Sequence, residues 1–156
     1  MLYLFSPLDK IYITQGFGGN KSVYARFGLA GHNGIDYRVK FIDSPLGKRY
    51  CSSAADGVIE VVRDDGAKGY GLHIRIRHAD GSMTIYGHLS KSYVGQGAKI
   101  KAQEIIGLTG NSGFSSGAHL HFEYRPAGWE KNTANGYAGA VDPTPFMLKN
   151  LPNQFM

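Results

Sequence analysis

Alternating hydrophobic and polar residues predict several short β-strands along this chain. The strictest alternation covers residues 72–78, where the leucine and isoleucines are predicted to face a core, and His73 and the arginines to face solvent. Residues 83–89 are predicted to return as its hairpin partner. Further strands are predicted at residues 3–5, 11–14, 50–55, 58–63, 99–100, 104–109 and 119–121.

The spacing of these strands favours an all-β fold. Short strands that recur every 8 to 12 residues or so are typical of a sandwich or barrel built mainly from antiparallel sheets. The 22 glycines favour tight turns, and only residues 21–29 have helical spacing, enough for one or two turns. Asp56 and Gly57 predict a hairpin turn between two strands. No repeat or linker interrupts the 156 residues, so we expect one domain, residues 1–156.

The charge pattern narrows the choice of partners. The formal net charge is +5, and the lysines and arginines are spread along the chain without a basic run. Because no nucleic-acid-binding module is recognisable, we expect no nucleic-acid partner. Anionic polymers of a bacterial envelope are the better candidates for attraction to a moderately basic surface.

Cysteine usage restricts the chemistry further. Cys51 is the only cysteine, which excludes an intrachain disulfide and a zinc site built on several thiolates. Any bound metal must therefore be held by histidine and carboxylate groups. The first five residues lack a basic group and the apolar run stops at Ser6, so we expect neither a signal peptide nor a membrane span there.

A pair of histidines in one predicted strand is the first candidate for chemistry. His119 and His121 lie two residues apart, so their side chains leave the same face of a strand while Leu120 points into a core. Taken alone, the pair fits two surface histidines on an edge strand as well as a metal site. In an extended segment upstream, His32 and Asp36 would also share one face.

Together these residues match the needs of a hydrolytic zinc site, which keeps three protein ligands and one position for water. His32 and Asp36 would supply two ligands, and His119 or His121 the third. The remaining histidine of the pair would serve as an acid–base group beside His88.

The other histidines are weaker candidates. His88 follows Gly87, and that glycine would let a ligand approach the backbone, although it also fits a β-bulge. We interpret His73 as a surface residue and His78 as a structural or exposed one.

Three segments carry most of these polar candidates: G-H-N-G-I-D at residues 31–36, Y-G-H at 86–88 and G-A-H-L-H-F-E at 117–123. In order and spacing they resemble the lysostaphin-like zinc endopeptidases of bacterial cell walls. The resemblance extends over residues 11–146 and includes supporting segments at residues 55–59, 97–101, 106–113 and 141–143.

The resemblance implies one zinc ion per chain, bound by His32, Asp36 and His121. It implies that His88 and His119 form the catalytic pair, without separating their roles. It also implies a mostly antiparallel β-structure with the site in a groove on one sheet.

Two further features follow from the same resemblance. Members often use an additional tyrosine near the site, and Tyr24 is the candidate here because it lies in the loop-rich run before the first motif. Residues 44–50 differ from the family, in which the segment between the first motif and the next strand is shorter. This longer segment would shape the groove differently and so affect substrate preference.

The implied activity is hydrolysis of a peptide bond in the cross-bridges or stem peptides of peptidoglycan. We expect a monomeric, bacteriolytic and antimicrobial enzyme of the endolysin type that acts on the cell wall, either phage-encoded or secreted with its leader trimmed. The alternative is a non-catalytic scaffold that activates other wall hydrolases, although such relatives typically lose the ligands. A carrier domain would need one phosphorylated histidine or modified lysine, and not this set of residues.

Overall fold

The computed structural model describes residues 2–40 and 47–148, which form one mainly antiparallel sheet of nine strands. The strands are β1 (Ile13–Gln15), β2 (Ile35–Arg38), β3 (Tyr50–Ser52), β4 (Gly57–Asp64), β5 (Leu72–Arg77), β6 (Met83–Ser92), β7 (Lys99–Ile100), β8 (Ile105–Thr109) and β9 (His119–Arg125). The described chain also contains a short helix, α1 (Lys21–Tyr24), and 3₁₀ turns at Ala25–Phe27, Trp129–Lys131 and Thr144–Phe146. The all-β prediction is confirmed. No helix among the described residues has the length and apolar character to cross a membrane.

The long strand β6 organises the sheet because its partner changes along one edge. One edge pairs with β5 from Met83 to Leu89, whereas the other pairs with β9 over Met83–Gly87 and then with β8 from Leu89. The exchange occurs at His88, whose backbone has a left-handed φ of 61°. The sheet therefore forks at His88, with β9, β2 and β1 on one branch and β8 and β3 on the other.

Alternate residues of β9 separate the core from a polar face. Leu120 and Phe122 are fully buried in the hydrophobic core, as predicted for Leu120. Ile35 and Tyr37 of β2 pack into the same core. Burial of one large apolar side chain contributes about 1.5–3 kcal/mol, so this face anchors the strands that carry the histidines on the other side.

Two predictions about local structure were wrong. The strand β3 pairs with β8 and not with β4, so Asp56 and Gly57 do not form a hairpin turn. The Asp56 carboxylate instead accepts a hydrogen bond from the Ala102 amide at 2.7 Å. Residues 3–5 form only a single bridge, from Leu4 to Met147. Within the divergent stretch 44–50, residues 44–46 lie outside the described residues.

The surface interpretation of His73 was also wrong. Its side chain is fully buried, its ring lies 5.2 Å from that of Tyr70, and its Nδ1 donates to the Gly71 carbonyl at 3.0 Å. The loop that carries Tyr70 covers this face of β5 at His73, whereas Arg75 and Arg77 on the same face are partly exposed. His78 is buried as well, in its structural role.

Candidate active site

Three side chains converge where β2 pairs with β9. Asp36 lies directly opposite His121 in the ladder, and His32 precedes β2 with its Nδ1 donating to the Gly16 carbonyl at 3.1 Å. His32 Nε2 lies 3.1 Å from Asp36 Oδ1 and 3.1 Å from His121 Nδ1. The third side of the triangle, from His121 Nδ1 to Asp36 Oδ1, measures 3.2 Å.

The triangle has the dimensions of one face of a tetrahedral metal site. Ligand distances of about 2.0–2.1 Å place tetrahedral ligand atoms about 3.3 Å apart. His32, Asp36 and His121 are all buried, and among the described residues they are the group whose ligand atoms could hold a metal ion together. Two imidazoles and one carboxylate, with a position left for water, form a donor set that suits zinc.

Hydrogen bonds within the triangle shift the protonation of Asp36 and His121. Burial raises the pKa of Asp36, but hydrogen bonds with His121 and His32 outweigh it and hold the pKa well below its usual range. Burial lowers the pKa of His121, but the hydrogen bonds and charges of Asp36 and Glu123 outweigh it and raise the pKa to about 9.

Gly34 lets the first motif approach β9. A Cβ atom at this position would lie 2.5 Å from the Phe122 carbonyl oxygen and 2.7 Å from Cε1 of His121. Because real Cβ atoms essentially never approach other atoms so closely, only glycine brings His32 and Asp36 against His121 here.

His88 and His119 form a second pair beside the triangle, with ring centroids 4.6 Å apart. His88 Nδ1 donates to the Ser112 carbonyl at 2.7 Å, and His119 Nδ1 donates to the Gly117 carbonyl at 2.8 Å. In the neutral rings these bonds leave Nε2 as the proton acceptor. Burial, together with the neighbouring imidazoles His121 and His119, lowers the pKa of His88 to about 3. The left-handed backbone at His88 is the kind of strain that concentrates at functional sites.

A cleft of about 180 Å³ opens next to these histidines. Its lining includes His88, His121, Tyr24, Phe27, Leu29, Asn33, Gly69, Tyr70 and Phe114. The rings of Phe27 and Phe114 meet edge to face at 5.3 Å and join two loops at the rim. The Tyr24 ring lies 5.1 Å from that of His32, and burial followed by the charge of Asp36 raises the pKa of Tyr24 to about 12. Tyr24 is therefore a neutral hydroxyl beside the triangle.

Sequence reasoning missed three residues that surround His121. Glu123, Arg125 and Tyr70 form a buried polar network behind this ring. Glu123 could have been found, because it continues the two-residue period of His119 and His121. Tyr70 lies in a glycine-rich loop, whose sequence gives no indication of where the loop folds.

The chain is similar to several known peptidases. Residues 30–134 match the model of Peptidase family M23. The chain is 43% identical over 101 residues to the DD-carboxypeptidase/endopeptidase Mpg of Neisseria meningitidis, covering 65% of this chain and 21% of that one. It is 38% identical over 118 residues to the peptidoglycan DD-endopeptidase ShyA of Vibrio cholerae, covering 75% and 26% respectively. The chain thus spans only about a quarter or less of these relatives.

Among solved structures, the catalytic domain of the antimicrobial peptidase lysostaphin from Staphylococcus simulans superposes with a TM-score of 0.67. The two are 26% identical, and the match covers 87% of this chain and 91% of that one.

Proposed function

Because this chain belongs to peptidase family M23, with the lysostaphin-like resemblance confirmed, we propose that it is a zinc-dependent endopeptidase of bacterial peptidoglycan. The observation that supports it most is the triangle of ligand atoms beside a cleft lined by His88, whose ring lies 4.6 Å from that of His119. His32 Nε2, Asp36 Oδ1 and His121 Nδ1 would hold the zinc ion. When bound, zinc lowers the pKa of a water to about 7 and polarises a carbonyl group.

His88 and His119 would move the protons of the reaction. Each ring is held by a bond from Nδ1 to a backbone carbonyl, which fixes Nε2 as the working atom. One ring accepts the proton of the attacking water, and the other stabilises the oxygen that becomes negative. Such positioned groups typically contribute about a hundredfold to ten-thousandfold.

The cleft would hold the peptide in place for this chemistry. Its aromatic walls exclude water from the reacting groups, and the neutral hydroxyl of Tyr24 can donate a hydrogen bond to the peptide. The substrates are the peptide cross-bridges or stems of the wall, and the +5 charge adds attraction to anionic wall polymers.

The test combines metal analysis with digestion of purified peptidoglycans of different cross-bridge type, followed by mass analysis of the fragments. The protein should contain one zinc per chain and lose lysis when it is chelated. His121→Ala should lose both zinc and lysis, whereas His119→Ala and His88→Ala should lose lysis but keep most of the zinc.

Lysis by the metal-free protein would contradict the proposal. A folded protein that binds zinc but releases no fragments from any wall preparation would instead support the non-catalytic scaffold.

A further inference from the structure

A fully buried carboxylate lies behind His121, on the side away from Asp36. Glu123 Oε1 accepts hydrogen bonds from His121 Nε2 at 3.1 Å and from the Tyr70 hydroxyl at 2.6 Å. Its other oxygen, Oε2, accepts from Arg125 Nε at 2.6 Å. These three donors satisfy both oxygens of a group whose burial would otherwise be costly.

We propose that Glu123 is a positioning residue for His121, an inference that rests on the proposed zinc site. An imidazole can carry its proton on either nitrogen, and only the nitrogen without a proton can bind a metal. By accepting from Nε2, Glu123 keeps the proton there and leaves the Nδ1 lone pair directed at His32 and Asp36. The same bond fixes the orientation of the ring.

Arg125 and Tyr70 hold the Glu123 carboxylate in this orientation. The Arg125 guanidinium is largely buried and stacks 4.8 Å from the Trp129 ring centre, so it cannot follow a rotating carboxylate. The Tyr70 hydroxyl also lies 3.4 Å from Arg125 Nη2 and 3.5 Å from Asn33 Nδ2. The network therefore extends from His121 to the half-buried ring of Trp129.

Gly87 provides the space that this network needs. The Tyr70 ring lies 5.4 Å from that of His121, directly over β6. A Cβ at position 87 would lie 3.3 Å from Tyr70 Cδ1 and 3.4 Å from His121 Cβ. The glycine of the second sequence motif thus lets Tyr70 reach Glu123.

Glu123→Gln tests the inference through zinc affinity, measured on the metal-free full chain by competition with a chromophoric chelator. An amide group has only one acceptor oxygen, so its NH₂ must face a donor of either His121 or Arg125. We expect zinc affinity to fall about 10- to 100-fold, the range typical for lost partners of metal-binding histidines. Tyr70→Phe removes one of two donors to Oε1 and should weaken zinc binding by less.

Thr84→Val is the matched control. Thr84 lies next to Ile85, the cross-strand partner of Glu123, but points to the opposite face of the sheet. It is fully buried and bonds to His78 Nε2 and to the Tyr86 hydroxyl, both at 2.8 Å. This variant should lower the melting temperature while leaving zinc affinity at the wild-type value.

Wild-type zinc affinity in Glu123→Gln would overturn the inference, as would an equal loss of affinity in Thr84→Val. If Glu123→Gln does not fold, the zinc affinities of Tyr70→Phe and Arg125→Met test the inference instead. Wild-type zinc affinity in both of these variants would also overturn it. A wild-type protein that binds no zinc would refute the proposed zinc site first, so the two failures are distinguishable.

A spectroscopic measurement tests the protonation directly. In zinc-loaded protein with ¹⁵N-labelled histidine, the His121 signals, assigned by comparison with His121→Ala, should show the proton on Nε2. A proton on Nδ1 would contradict the inference.

Discussion

Two clusters of buried histidine lie on opposite faces of the same sheet, and they differ in where their ring nitrogens point. In the cluster of His32, Asp36 and His121, the acceptor atoms point at one another across 3.1–3.2 Å. In the second cluster, His78 donates from Nδ1 to the Asp56 carbonyl at 2.6 Å, and its Nε2 bonds to the Thr84 hydroxyl at 2.8 Å. The second cluster is closed, because each ring nitrogen has its own protein partner.

The difference shows that burial alone does not identify a functional histidine. His32 and His78 are both almost fully buried, at 0% and 2% exposed. Converging lone pairs and a carboxylate repel one another unless a proton or a metal cation lies between them, whereas a closed set of hydrogen bonds is already satisfied. Under the proposed function the first arrangement binds a cation, whereas the second stabilises the fold.

The largest effect is expected from Gly34→Ala, which breaks the open cluster without changing a ligand. Its Cβ would meet the Phe122 carbonyl oxygen, a backbone atom, so β2 has to move away from β9. We expect zinc binding and wall lysis to be lost, measured by elemental analysis and a lysis assay.

Gly95→Ala is the control for Gly34→Ala. A Cβ at position 95 would meet no atom within 4 Å, so this variant should keep wild-type zinc content and lysis. Full zinc content in Gly34→Ala would mean that the close approach of the two strands is not needed.

A mutation in the closed cluster should lower the stability of the fold without affecting zinc binding. His78→Ala leaves a cavity and removes a partner of the Thr84 hydroxyl, so we expect about 2–5 kcal/mol less free energy of unfolding, measured by urea denaturation. The zinc content of the folded fraction should stay at one per chain. Loss of zinc from a variant that is still folded would show that the two faces are coupled.

The pH dependence of stability offers a smaller test, at a third buried histidine. Burial is the main cause that lowers the pKa of His73, and the charges of Arg75 and Arg63 lower it further, whereas the hydrogen bond to the Gly71 carbonyl and the charge of Asp65 raise it. The unfolded chain therefore takes up a proton near pH 6.5, whereas the folded chain does so only at lower pH. The free energy of unfolding should fall as pH drops below about 6.5, by at most about 1.4 kcal/mol per pH unit from this group.

His73→Leu should make this acid-side decline shallower, as measured by urea titrations between pH 5 and about 7.5. An unchanged slope would show that His73 takes up a proton in the folded protein as well.

The smallest effect is expected from Cys51→Ser. Cys51 is fully buried in the core on β3, and burial raises the pKa of its thiol, so the thiolate that a nucleophile requires is not formed. Wall lysis should be nearly unchanged. If the variant loses lysis but keeps its fold and zinc content, the Cys51 thiol takes part in catalysis.

Sequence periodicity predicted where the strands that carry the histidines lie. It predicted less well which strands pair with one another and which loops cover their faces. The two-residue period placed Leu120 in the core correctly. It failed for His73, because alternation was taken to mean one solvated face, whereas the glycine-rich loop just before β5, which carries Tyr70, covers His73. The pairing of β3 with β8 depends on contacts between residues far apart in the chain, which local turn residues such as Asp56 and Gly57 do not encode. Glu123 follows the period, but a charged strand residue normally indicates solvent.

The contact between Phe27 and Phe114 indicates that the cleft rim and the ligand-bearing strands can be engineered separately. These two rings belong to the loops that form the rim of the cleft, whereas Asp36 and His121 lie on strands fixed by the backbone ladder. Under the proposed function, exchanging the rim loops for others would therefore change which peptides are cleaved without any change to the proposed metal ligands.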